Sequence, residues 1–111
     1  MKAKRQHNPA LYEAILTLKT PSECMDFFED LCTVGELSAM EQRFQVAKSL
    51  RAGKIYNEIL AETGASSATI SRVNRTLQYG TGGYELVFSR LEASASAETV
   101  SPIADGSAAG E

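Results

Sequence analysis

One histidine and two cysteines are all the imidazole and thiol groups that this 111-residue chain offers. A structural zinc site takes four such ligands, so no metal is expected, and no cofactor either. Cys24 and Cys32 lie eight residues apart on what reads as one helix. Two helical turns separate them by roughly 12 Å, beyond disulfide reach, so both thiols are expected reduced. No catalytic constellation is visible. His7 falls in a basic N-terminal arm, and neither cysteine has a base nearby in sequence. An enzyme is the least supported reading. No apolar run approaches the length of a bilayer span, and no hydrophobic signal core follows the basic start. A cytoplasmic protein without membrane contact is the resulting expectation.

Acid is missing from one stretch where it would be usual. Between Gly64 and Tyr84 there is no Asp or Glu, whereas solvated helix faces normally mix signs. The whole chain carries −3. All eleven Lys and Arg precede residue 92, with ten of the fourteen acids, so residues 1–91 carry +1. Residues 92–111 hold Glu92, Glu98, Asp105 and Glu111, no base, and a majority of Ala, Ser and Gly. Such a segment buries too little to offset its ordering entropy and is expected to be a disordered acidic tail. Residues 1–8, with Lys2, Lys4 and Arg5, read as a flexible basic arm. One domain of residues 9–91 remains.

Charge within that domain is polarised. Six acids fall in 23–41: Glu23, Asp26, Glu29, Asp30, Glu36 and Glu41. In 51–79, Arg51, Lys54, Arg72 and Arg75 face only Glu58 and Glu62. A basic edge opposite an acidic body suits a DNA-facing surface whose affinity falls steeply with salt.

Hydrophobic spacing predicts five or six helices and no strands. The first runs over about 10–19 with Leu11, Ile15 and Leu18 on one face. Thr20-Pro21-Ser22-Glu23 is a capping box with proline at the first helical position. The helix it opens should bury Met25, Phe28 and Leu31, with Phe27 beside them. Thr33-Val34-Gly35-Glu36 is a second capping box. Its helix carries Leu37, Met40, Phe44, Ala47 and Leu50 and ends near Gly53. Tyr79-Gly80-Thr81-Gly82-Gly83-Tyr84 breaks the chain, and a last helix carries Leu86, Val87 and Leu91.

Residues 55–78 read as a helix-turn-helix, a unit that lays its second helix in the DNA major groove. Ile59 faces inward from the first helix. Gly64 supplies a left-handed joint at little cost, and Ser66 or Ser67 caps the next helix. Ile70, Val73 and Leu77 form its apolar stripe. Ala68, Ser71, Arg72 and Arg75 then lie on the other side, flanked by Ser67 and Thr69. Short hydroxyls let the helix approach base edges, and arginine reaches guanine or phosphate. The opening helices are apolar but short, and a folded part of this size has a limited core of its own. A homodimer is therefore expected, with two reading helices addressing successive grooves.

The chain resembles the Trp repressor superfamily, specifically its YerC/YecD-type branch of small bacterial proteins, over roughly residues 10–91. Thr63-Gly64-Ala65-Ser66-Ser67-Ala68-Thr69-Ile70-Ser71-Arg72-Val73-Asn74-Arg75 carries most of the likeness, with Tyr79-Gly80-Thr81-Gly82-Gly83-Tyr84 after it. Gln42-Arg43-Phe44-Gln45-Val46-Ala47 and Tyr56-Asn57-Glu58-Ile59 match as well. The resemblance implies an all-α, Trp-repressor-like helical domain with a helix-turn-helix, in an intertwined homodimer. It implies sequence-specific binding of double-stranded DNA and transcriptional regulation, repression above all. Base-contacting positions fall on Ser67, Ala68, Thr69 and Ser71, and phosphate-facing ones near Tyr56, Asn57, Asn74 and Arg75. Arg43 and Arg72 match the two arginines that embrace tryptophan in the repressors. Val73, however, stands where those proteins have glycine. Its isopropyl group should fill the indole slot, and overpacking costs typically 1–3 kcal/mol. Tryptophan is not expected as the effector. Arg43 and Arg72 then hold another small anion or phosphate, or pair with Glu41 or Glu62. Leu60 stands where the branch has a small residue and should be partly exposed. The alternative function is a helical dimerisation or protein-interaction module that has lost DNA reading.

Overall fold

Six helices follow one another without a strand among the described residues: α1 (Pro9–Ile15), α2 (Pro21–Leu31), α3 (Val34–Arg51), α4 (Tyr56–Thr63), α5 (Ser67–Tyr79) and α6 (Gly83–Val100). The computed structural model describes residues 5–100, with side chains through Ser96. Lys2 and Lys4 of the expected basic arm lie outside the described residues, as does the expected acidic tail beyond Val100. Two units divide the chain, Met1–Leu37 and Ser38–Glu111. None of the described helices is long and apolar enough to cross a membrane.

In the first unit, the chemistry of the caps sets where helices begin. Asn8 Oδ1 accepts the Ala10 amide at 3.0 Å, with Pro9 at the first helical position. α1 stops at Ile15, four residues before its expected end. The Thr17 hydroxyl donates to the Ala14 carbonyl at 2.7 Å, and the amides of Thr17 and Leu18 tighten to i−3 carbonyls. Such local side-chain bonds compete with helix continuation. Thr20 caps α2 by accepting the Glu23 amide at 3.1 Å. The Glu23 carboxylate reaches one residue further back than a capping box requires, to the Lys19 amide at 2.8 Å. Thr33 and Glu36 form the reciprocal pair in full, at 2.9 and 3.1 Å.

Neither α1 nor α2 contains a fully buried side chain. Met25 and Leu31, expected in the core, are exposed. Phe27 and Phe28 are half-buried, their rings edge-on at 5.6 Å. The apolar stripe is real, but within one chain it does not close over. Cys24 and Cys32 are free and half-buried.

The core lies in the second unit. Val46 and Ala47 of α3, Ile59 of α4, Ala65 between α4 and α5, Ile70 and Val73 of α5, and Phe88 of α6 are buried together. Leu50, Leu77 and Tyr84 pack around them. α6 is rotated from the expected setting. Leu86, Val87 and Leu91 face out, while Tyr84 and Phe88, one turn apart, face in. Phe88 stacks on Phe44 at 5.2 Å and on Tyr84 at 6.0 Å. Aromatic rings bury more area than aliphatic chains and gain further from offset stacking. α6 also continues past residue 91 to Val100, through the start of the segment expected to be disordered. Ala93 and Ala95 are strong helix formers, and no Gly or Pro interrupts before Pro102.

Arg51, the last residue of α3, ties that helix to α6. Its guanidinium grips both Glu85 oxygens at 2.9 and 2.8 Å, pairs with Glu92, and lies 5.4 Å from the Phe88 ring centroid. Gly80 closes α5 at close quarters. A Cβ there would meet the Thr76 carbonyl oxygen at 2.5 Å.

Candidate nucleic-acid interface

α4 and α5 are joined by Gly64, Ala65 and Ser66. At the start of α4, the Glu58 carboxylate accepts the Ile55 amide at 3.1 Å. Ile55 has no acceptor to return the bond, so this is half a capping box. At the other end, Gly64 adopts a left-handed φ of 69° and donates to the Leu60 carbonyl at 3.0 Å. The Thr63 hydroxyl donates to the Ile59 carbonyl at 2.8 Å and accepts the Ala65 amide at 3.1 Å. Gln42 Nε2, from α3, donates to the Thr63 carbonyl at 3.2 Å.

Ser66, of the two serines considered, is the cap of α5. Its Oγ accepts the Thr69 amide and donates to the Thr69 hydroxyl, both at 3.1 Å. Ser67 is thereby left exposed just inside the helix. Ile70 and Val73 are buried on one side of α5. Ser67, Ala68, Ser71, Arg72, Asn74 and Arg75 are all exposed on the remainder. Thr69 differs: it is half-buried and turned to its cap. Tyr56 and Asn57 are exposed in the first turn of α4. Leu60 is 40% exposed, and Ile59 supplies the core contact for this helix.

The basic edge is narrower than its sequence suggests. Arg51 is held by Glu85 and Glu92. Lys54 Nζ is held by both oxygens of Glu62, at 3.0 and 2.8 Å, which raises its pKa. Through its bonds to Arg51 first and Ser89 second, the Glu85 carboxyl is pulled down to about 2. Both cations are ion-paired at the surface, where such pairs are weak and salt-sensitive. Arg43, Arg72 and Arg75 enter no ion pair among the described residues.

Two of those three arginines border one hollow. Arg43 of α3 and Arg72 of α5 line one hollow of about 160 Å³ with Ala39, Gln42, Ala68 and Thr69. No acid lines it. The pairing with Glu41 or Glu62 envisaged from sequence does not form, and Glu62 is committed to Lys54. Val73 is 2% exposed and belongs to the core. A second hollow is lined by Met40, Phe44 and Tyr84 together with Glu41, Arg43 and Gln45. Sequence reasoning missed Gln42 as a contact, and Tyr84 and Phe88 as packing residues. The four-residue spacing of the two aromatics was a usable signal. The Gln42 bond spans 21 residues and leaves no local trace.

Residues 6–92 match the profile of the Trp repressor protein family. Among curated proteins, the uncharacterized protein YerC of Bacillus subtilis (strain 168) is 50% identical over 82 residues, covering 74% of this chain and 79% of its own length. A crystal structure of a TrpR-like protein from Eubacterium eligens ATCC 27750 is 55% identical. It aligns with a TM-score of 0.72 over 75% of this chain and 86% of that one. A crystal structure of a candidate Trp repressor from Staphylococcus aureus is 49% identical, with a TM-score of 0.73 over 75% and 83% of the two chains.

Proposed function

This chain belongs to the Trp repressor family, and from that premise we propose that it is a sequence-specific DNA-binding transcriptional regulator, a repressor, acting as a homodimer in the cytoplasm. One observation carries the reading. The solvent side of α5 holds Ser67, Ala68, Ser71, Arg72, Asn74 and Arg75, with no acid between Gly64 and Tyr84. Ser67, Ala68, Thr69 and Ser71 read base edges through hydroxyls and methyls. Arg72 and Arg75 reach guanine or phosphate, and Tyr56, Asn57 and Asn74 fix register on the backbone. The helix-turn-helix is α4, its three-residue turn, and α5.

Apolar surface supports the dimer. α1 and α2 bury nothing fully, and Leu16 and Val34 are 84% and 82% exposed. Two short helices with so little area removed from water are not held by their own propensity. A second copy, covering them and the outward Leu86, Val87 and Leu91, supplies what the single chain lacks.

Arg43 and Arg72 are proposed to hold a small anion in their shared hollow. The buried Val73 argues against tryptophan in that role. The net charge of −3 and the acidic 23–41 stretch favour the competing reading, a protein-interaction module without DNA reading, and the ion pairing of Arg51 and Lys54 adds to them.

Enrichment of random duplexes on the purified protein tests the proposal. Recovery of a two-fold symmetric site supports it. Recovery of nothing above background at low salt, together with a stoichiometric protein captured in a pull-down, moves the assignment to the competing module.

A further inference from the structure

We propose that Gln42 is a positioning residue for base reading, a tether that sets the angle at which α5 leaves the turn. The inference rests on the DNA-binding reading above. Among the described residues, its amide makes the one side-chain hydrogen bond between α3 and the C-terminal end of α4, to the Thr63 carbonyl at 3.2 Å, directly before the turn. That carbonyl is one of the acceptors left over at the end of a helix. The Thr63 hydroxyl already organises the same corner, through Ile59 and Ala65. Gln42 therefore grips the residue from which the turn is built. It is partly buried and lines the hollow that Arg43, Thr69 and Arg72 share. One side chain thus holds the last residue of α4 and also borders the first turn of α5.

Base contacts and phosphate contacts respond differently to a loosened tether. Hydrogen bonds to base edges need donor and acceptor within a few tenths of an ångström and well aligned. Phosphate contacts are largely electrostatic and tolerate small rotations. Loss of the tether therefore lowers discrimination rather than adhesion.

Gln42→Met keeps the length and volume of the side chain and removes the donor. Gln42→Glu keeps the shape and sets a carboxylate against the Thr63 carbonyl. Both variants are compared with the full-length parent by duplex affinity, on the enriched site and on a scrambled duplex of equal length. Thermal midpoint and oligomeric state are measured alongside. Gln42→Met is expected to lose roughly three- to tenfold in affinity for the enriched site while holding its affinity for the scrambled duplex; Gln42→Glu loses the same discrimination on top of a salt-dependent fall on both duplexes, from its added charge beside Arg43 and Arg72. Unchanged affinity on both duplexes overturns the assignment and leaves the DNA reading standing. So does a parallel fall on both that tracks the thermal midpoint, which marks a merely structural bond. Should one variant fail to fold, the other decides. A parent protein that enriches no site overturns the DNA reading and this assignment with it.

Discussion

Arg51 and Glu85 form a two-point ion pair, Nε to Oε1 at 2.9 Å and Nη2 to Oε2 at 2.8 Å, joining the end of α3 to the first turn of α6. Phe88 lies beneath the guanidinium, so charge and ring packing fix the same junction. The folded-state pKa of Glu85, about 2, lies below its ordinary 4.5. The pair's contribution is therefore whole above about pH 4.5 and is lost as pH falls toward 2. Thermal unfolding followed by circular dichroism between pH 6 and pH 2 is expected to show a steeper acid loss for the parent than for Glu85→Gln. Superimposable pH profiles would contradict the assignment. Glu85 is solvent-exposed, so the difference is small and shrinks in high salt.

The two serines at the start of α5 are expected to separate stability from binding. Ser66→Ala removes the cap on Thr69 and should cost about 1 kcal/mol of stability. Ser67→Ala removes an exposed hydroxyl and should leave the thermal midpoint near its original value while weakening operator binding. Denaturant titration and duplex affinity, run on both variants, check the split. A destabilised Ser67→Ala would show that the cap had been misassigned.

Val73 is expected to serve packing at the expense of an aromatic ligand. Val73→Ala should destabilise by on the order of 2 kcal/mol, from lost burial and the cavity left behind. Titration of the parent with tryptophan should give no binding heat and no change in duplex affinity. Tenfold tighter DNA binding with tryptophan present would mean that the slot opens despite the isopropyl group.

Arg72 and Arg75 are predicted to differ in kind from Arg51. Arg72→Ala should weaken every duplex and shallow the salt dependence by about one charge if it holds phosphate. If it reads guanine, it should cost about 1–3 kcal/mol at one base position alone. Arg51→Ala should lower the thermal midpoint and leave the salt slope of DNA binding unchanged. A changed slope for Arg51→Ala would return that residue to the DNA-facing edge.

What could be read from sequence was local. The Thr33–Glu36 box, the left-handed Gly64 and the inward Ile59, Ile70 and Val73 each depend on residues within one or two turns. Residue type and spacing specify such features. Where partners are distant, the same reading failed. Arg51 counted as basic surface because Glu85 and Glu92 lie 34 and 41 residues away. Lys54 was misjudged at shorter range, since Glu62 is eight residues on, in the α4 helix that follows. Gln42 and Thr63 share no pattern at all. α6 erred through composition: Ala and Ser signalled disorder, yet alanine is also the best helix former. Met25 and Leu31 were assigned to a core by a correct stripe, and one chain alone does not cover that stripe.

The central claim is that the exposed side of α5 enters the major groove, twice, on one duplex. Methylation protection at guanine N7 on an enriched site measures this directly, because that atom is open only in the major groove. Two protected blocks about 10–10.5 base pairs apart, centre to centre, both lost with Ser71→Ala and Arg72→Ala combined, are the expected result. Full N7 reactivity across a site that the protein occupies would contradict the account.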